Sequence, residues 1–152
     1  MIITFLGHRR ISGYDDLSER IQKTIFENIN PKEETFFYCG GYGEFDSLCA
    51  KACRLVTGRI PNIQIVFVTP YMTEQQQKKV MQFIRSGLYD SVIYPPLEMT
   101  PPRFAIRKRN EWMINEADLI IAYVKQTYGG AFTAMDYARR KKKHVINIAD
   151  TH

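Results

Sequence analysis

Three turns of this chain carry residue types suited to holding an anion. Gly7-His8-Arg9-Arg10 sets an imidazole and a guanidinium beside a glycine, and Gly40-Gly41-Tyr42-Gly43-Glu44-Phe45-Asp46 runs from glycines into two acids. Gly129-Gly130-Ala131-Phe132-Thr133 ends a glycine pair on a hydroxyl. Glycine lets the backbone take positive φ and lets a phosphate reach amide groups with no β-carbon in the way. His8 and Arg9 suit donation to a phosphate or carboxylate, and they equally suit a solvated loop. Glu44 and Asp46 open a helix, where acids interact well with the dipole. As ligand contacts they would accept from ribose hydroxyls. A glycine pair also simply closes a tight strand-to-helix turn. Neither pair is followed by Gly-Lys-Ser/Thr and neither fits GxGxxG, so Walker and dinucleotide fingerprints are absent.

Short apolar runs alternate with longer stretches of helical periodicity, the pattern of repeated βα units around a parallel sheet. The runs predict strands at Ile2–Leu6, Thr35–Cys39, Ile63–Thr69, Ser91–Tyr94, Asp118–Val124 and His144–Ile148. Leu17, Ile21, Ile25 and Ile29 form one helical stripe, with Asp15 or Asp16 as its cap. Phe45, Leu48, Cys49, Ala52 and Val56 form a second, ending near Gly58 ahead of Pro61. Thr73 to Ser86, Arg103 to Glu116 and Gly130 to Lys141 complete the set, and the four prolines between Tyr94 and Arg103 make that segment a loop. The fold class is therefore α/β, a Rossmann-like three-layer α/β/α arrangement with a mainly parallel sheet of about six strands. In such a sheet, ligands sit beyond the carboxyl ends of the strands, where helix amino termini attract anions. The glycine turns all fall there.

No linker, repeat or low-complexity tract divides the 152 residues, which predicts one domain over 1–152. Cys39, Cys49 and Cys53 lie in apolar segments without metal-ligand spacing, so they read as reduced core residues with no metal site and no cofactor. The amino terminus has too short an apolar stretch for a signal peptide and no run is long enough to cross a bilayer, which predicts a cytoplasmic protein without membrane contact. The formal charge of +5 suits an anionic ligand. The run Arg139 to Lys143 fits the last turn of a helix, where cations complement the dipole. Trp112 and Met113 fall at core spacing.

These motifs resemble the SLOG superfamily, the Rossmann-like group that includes cytokinin-activating phosphoribohydrolases and DNA-processing protein A. The Gly-His-Arg, Cys-Gly-Gly-Tyr-Gly-Glu-Phe-Asp and Gly-Gly-Ala-Phe-Thr turns look most like its YpsA/YoqJ branch. The phosphoribohydrolases carry an Arg-Lys pair ahead of an Ala-Asp strand, then Pro-Gly-Gly-x-Gly-Thr-x-x-Glu. Here Arg109-Asn110 precedes Ala117-Asp118, and Gly129, Gly130 and Thr133 precede Asp136. Asn110 stands for the lysine, Phe132 for a glycine and Asp136 for the glutamate, and the proline is missing. The resemblance implies that Arg109 and the loop amides hold a phosphate and that Asp136, a carboxylate shortened by one methylene, stabilises an oxocarbenium-like centre or activates water. It also implies a possible homodimer through the helix around Trp112.

Three functions follow as expectations. The first is binding or sensing of a nucleotide-derived phosphorylated ligand, such as a nucleoside monophosphate or an ADP-ribose-like compound. The second is an N-glycosidase or phosphoribohydrolase using Arg109 and Asp136, with a deoxyribosyltransferase as a variant. The third is nucleic-acid binding through Arg107, Lys108, Arg109 and the Arg139–Lys143 run, ranked last because aromatic residues are not interleaved with the basic ones.

Overall fold

The computed structural model describes residues 1–11 and 15–150. Its elements alternate as β1 (Ile2–Gly7), α1 (Leu17–Asn28), β2 (Thr35–Cys39), α2 (Glu44–Thr57), β3 (Ile63–Val68) and α3 (Glu74–Arg85). They continue with β4 (Ser91–Ile93), α4 (Ala105–Glu116), β5 (Leu119–Tyr123), α5 (Gly130–Arg140) and β6 (Val145–Asn147). All six strands form one parallel sheet in the order β4-β3-β2-β1-β5-β6. The predicted α/β class, three layers and strand set are those of the molecule.

Period-two alternation decides which residues meet which helices. Ile3 and Phe5 of β1, Phe37, Ile65, Phe67, Leu119 and Ile121 face α1, α2 and α3 through Leu17, Ile21, Ile25, Phe45, Cys49, Cys53 and Val80. Leu6, Ile120, Ala122 and Val124 point the other way, against Ile114 of α4 and Ala134, Met135 and Ala138 of α5. Tyr38, Val66 and Val68 on that same face pack on Met113. The chain winds outward from β1 to β4, then returns to build β5 and β6 on the other side of β1. Crossovers of one hand in opposite directions put their helices on opposite faces. The order reverses between β1 and β5, which stay paired to their last residues, Gly7 and Tyr123, so the segments leaving their carboxyl ends border a crevice.

Local details depart from the sequence reading in places. Asp16 occupies the N-cap of α1 without a side-chain cap bond, and its carboxylate instead lies 4.0 Å from Arg20 Nη1. The helix expected from Arg103 begins at Ala105, because Pro101 and Pro102 lead into a 3-10 turn over Pro102–Phe104. A proline fits there, since the amides opening a helix have no intrahelical acceptor to lose. Thr73 caps α3, its hydroxyl accepting from the Gln76 amide at 3.2 Å. Cys39, Cys49 and Cys53 are buried free thiols, and burial pushes the thiols of Cys49 and Cys53 well above their ordinary pKa. No helix among the described residues is long and apolar enough to cross a membrane.

Candidate functional site

The crevice between β1 and β5 holds a cleft of about 360 Å³. Gly7, His8, Arg9 and Arg10 line it from the end of β1, Tyr42 and Asp46 from the β2–α2 turn, Arg109 and Asn110 from α4, and Gln126, Gly129 and Gly130 from the segment after β5. Turns distant in sequence therefore meet at one place.

Arg109 is the largest fully buried side chain among the described residues, 1% exposed although it carries a charge. Desolvation of that kind is tolerated when the guanidinium is well bonded. Nη1 donates to the carbonyls of Gly40 and Val68 at 2.8 and 2.7 Å, which ties α4 to the ends of β2 and β3. Nε donates to Asn110 Oδ1 at 3.0 Å, and the guanidinium carbon lies 5.4 Å from the Tyr42 ring centroid. Nη2 donates to nothing among the described residues. Arg54 Nε is the one fully buried side-chain nitrogen or oxygen among them without a partner, so Nη2 is open to the cleft. Burial lowers the pKa of Arg109, opposed first by Asp46.

Asp46 stands across from it. Oδ2 accepts the Tyr42 amide at 2.9 Å. A β-carbon at Gly40 would lie 3.1 Å from Arg109 Nη2 and 3.3 Å from Asp46 Oδ2, so the absent side chain leaves room where the two charges approach. They form no direct ion pair. Desolvation raises the Asp46 pKa from 3.8 to about 6, against the pull of Arg109, the Tyr42 amide and Arg9.

The amino terminus of α5 forms the opposite wall. Gly129 is its N-cap at φ 92, and its first turn carries no acid. A β-carbon at Gly130 would meet nothing within 4 Å, so no internal packing demands glycine there. The unpaired amides of a first helical turn with the dipole behind them attract an anion. Arg9 and Arg10, both exposed, add positive charge at the rim.

His8 bridges the crevice. Its Nε2 accepts from the amides of Lys125 and Gln126 at 2.9 and 3.4 Å. That bonding assigns the ring proton to Nδ1, and burial followed by Lys125 holds the pKa down. One of its two nitrogens is thus committed to fixing the segment after β5, leaving only Nδ1 to donate.

Other residues named from the sequence serve elsewhere. Asp136, expected to share the cleft with Arg109, is exposed on α5 and ion-paired with Arg140 at 3.1 Å, away from Ala134, Met135 and Ala138 that face inward. One turn of helix decides this, since 134 and 138 share a face that 136 does not. Thr133 donates its hydroxyl to Gly129 O at 3.0 Å and does not line the cleft. Glu44 ties down the first turn: its amide donates to Arg9 O at 2.8 Å and Oε2 accepts from the Ile11 amide at 3.2 Å. Gly41, at φ 73, lies under the Phe67 ring, and Gly43, at φ 97, passes close to the Arg9 backbone, so both answer to packing.

Of the basic residues expected to form a surface on α4, Arg107 and Lys108 are exposed and Arg109 is not. Arg109 is internal and Lys108 pairs with Glu111 at 3.6 Å. The Arg139–Lys143 run lies at the carboxyl end of α5, which delivers the chain to the start of β6, at the sheet edge opposite the cleft. Lys143 Nζ donates there to the carbonyls of Asn115 and Ala117 at 2.9 and 3.1 Å, closing the end of α4. Trp112 stacks on Tyr38 with centroids 5.7 Å apart. Sequence reasoning overlooked Arg10, Tyr42 and Gln126 as cleft residues. Arg10 and Tyr42 sit inside turns already singled out, whereas Gln126 had no signal.

No protein-family model matches the chain and no curated protein sequence matches it. Solved structures do match in fold. DNA processing protein A from Helicobacter pylori, described for its single-stranded DNA binding mode, superposes with a TM-score of 0.60 at 16% identity over 95% of this chain and 63% of its own. DNA processing protein A from Streptococcus pneumoniae gives 0.62 at 16% identity over 94% of this chain and 48% of its own. The chain spans less than two thirds of either protein. At that identity the likeness is one of fold: a three-layer α/β arrangement around a parallel sheet.

Proposed function

We propose that this chain is a nucleotide-phosphate-binding domain whose ligand is a nucleoside monophosphate or an ADP-ribose-like compound held in the β1/β5 cleft. The observation that carries this reading is the open Nη2 of the buried Arg109, in a cleft whose opposite wall is the acid-free first turn of α5. A guanidinium–phosphate contact is charge-assisted, and helix-end amides extend the cradle. The cleft volume of about 360 Å³ lies within the range of small-molecule sites. The three glycine-bearing turns favour the YpsA/YoqJ branch of the superfamily. N-glycosidic hydrolysis loses support, because Asp136 lies outside the cleft.

A second reading, single-stranded DNA binding, draws on the Helicobacter neighbour and on exposed rings near the cleft. Tyr128 is 68% exposed beside the Gly129–Gly130 turn, and Phe104, with the Arg103 guanidinium 4.8 Å over its ring, precedes α4. Exposed rings next to basic groups suit base stacking.

A thermal-shift series separates the two. Ligand bound to the native state raises the melting temperature with concentration. Nucleoside monophosphates and ADP-ribose at millimolar concentration should raise it, and an oligothymidylate should add little at physiological salt. Stabilisation by the oligonucleotide alone, declining steeply with salt, would put the single-strand reading first. No shift with any phosphate compound would remove the nucleotide reading.

A further inference from the structure

Resting on the nucleotide-phosphate reading, we infer that Asp46 selects the ligand, accepting the vicinal hydroxyls of a ribosyl phosphate whose anionic oxygens sit on Arg109 Nη2 and the α5 amino terminus.

The cleft is not uniformly positive. Beside Gly40, a donor and an acceptor stand 3.1 and 3.3 Å from the same point, the donor on Arg109 and the acceptor on Asp46. Asp46 Oδ2 already takes the Tyr42 amide, while Oδ1 accepts from no group among the described residues and is not sealed from the cleft. A carboxylate in that position repels a bare anion. It stabilises only a ligand that brings a donor hydrogen close to its own negative charge.

Ligand geometry narrows the class. Groups that near one another require an anionic oxygen and a donor separated by few bonds. The hydroxyls of a ribosyl phosphate meet this condition, whereas the amino groups of a base lie beyond the glycosidic bond. A carboxylate with free lone pairs also matches a diol two for two. Acids near the second strand of dinucleotide-binding sheets use the same chemistry on ribose. A 2′-deoxyribosyl chain lacks half of the diol, so this arrangement favours ribonucleotides over DNA.

Calorimetric titration of the intact chain at pH 7.5 with AMP, 2′-deoxy-AMP, 3′-deoxy-AMP and inorganic phosphate tests the assignment. Wild type should bind AMP roughly tenfold or more tighter than either deoxy compound, the usual worth of a hydrogen bond to a charged group. Asp46→Asn keeps an oxygen for the Tyr42 amide. Its ratio of AMP to deoxy-AMP affinity should fall towards one, and its affinity for inorganic phosphate should rise because a repelling charge is gone. Circular dichroism of this variant checks that it is folded. If it is not, the wild-type ratios alone decide. Equal wild-type affinities for AMP and both deoxy compounds overturn the inference while leaving phosphate binding standing, as does an unchanged ratio in folded Asp46→Asn. Failure of wild type to bind any of the four overturns both readings.

Discussion

Phe45 packs directly onto the α-carbon of Gly7: a β-carbon there would lie 2.2 Å from the phenyl Cδ2 and 2.8 Å from the Phe45 Cβ. Phe45 is fully buried, so its ring has nowhere to retreat. Gly7→Ala should therefore destabilise the protein by about 2–3 kcal/mol, the cost of overpacking a closed core. Urea unfolding measures it, and a loss below 0.5 kcal/mol would show that the ring shifts freely.

Gly130 is the contrasting case, facing open space at the first position of α5. Gly130→Ala should leave stability unchanged or raise it by up to about 1 kcal/mol. It should also weaken phosphate binding roughly tenfold, about 1.4 kcal/mol, by holding the anion off the amides. Unaltered phosphate affinity would move the cradle away from this turn.

Arg109→Ala carries a fold penalty that the sequence reading did not include. It leaves the Gly40 and Val68 carbonyls without their guanidinium partner inside the protein. Each such loss costs about 1–3 kcal/mol, so destabilisation of about 3 kcal/mol or more should accompany any loss of binding. Arg9→Ala and Arg10→Ala, at exposed positions, should weaken binding with stability changes within about 0.5 kcal/mol. Comparing melting temperatures with ligand titrations across the three variants distinguishes these outcomes.

Two cleft residues give opposite pH responses. The Asp46 pKa is raised from 3.8 to about 6, so the folded state binds the proton more tightly. Its contribution favours folding at low pH and is lost as pH climbs through that window, about 2–3 kcal/mol in all. The His8 pKa is lowered, so its contribution is present above 6.5 and lost as pH falls. Chemical denaturation from pH 4 to 7.5 should show stability falling with pH less steeply in Asp46→Asn than in wild type. A parallel pair of profiles would contradict the buried acid.

Lys143 belongs to the fold and not to a charged surface. Lys143→Met should cost about 1–2 kcal/mol by uncapping α4. Reversing Arg139 and Lys141 together to Glu should leave cleft affinity within about twofold once ionic strength screens distant charge. A large drop in nucleotide binding by that double variant would join the two sheet edges functionally.

The strands were legible because their apolar runs are short and bounded by glycine, proline and polar turns. Thr35–Cys39 emerges with the same limits in the fold. The meeting of the three turns followed from topology, since parallel strands present all their carboxyl ends at one edge. What each side chain does within those turns did not follow. Glu44 and Asp46 are two residues apart in one helical turn, yet one binds the Ile11 amide and the other enters the cleft. Asp136 matches the spacing of the phosphoribohydrolase loop, but helix rotation turns it away from the cleft. Arg109 read as a ligand contact, and nothing in its neighbours announced that the same guanidinium would also fasten two strand ends.

The strand order imposes a sequence of events on the nascent chain. β1 is central, with Ile3 beside Phe37 on one flank and Leu119 on the other. The first flank can pair soon after synthesis, but the second must wait until β5 has been made. Until then Leu6, on the face that α5 will cover, has neither its strand neighbour Ala122 nor its helix. Long-range parallel pairing is slow to form and exposes apolar surface meanwhile. The cleft, built on that seam, cannot form before β5 and the start of α5 have been made, and a ligand bound there would report that the two flanks of the sheet have joined.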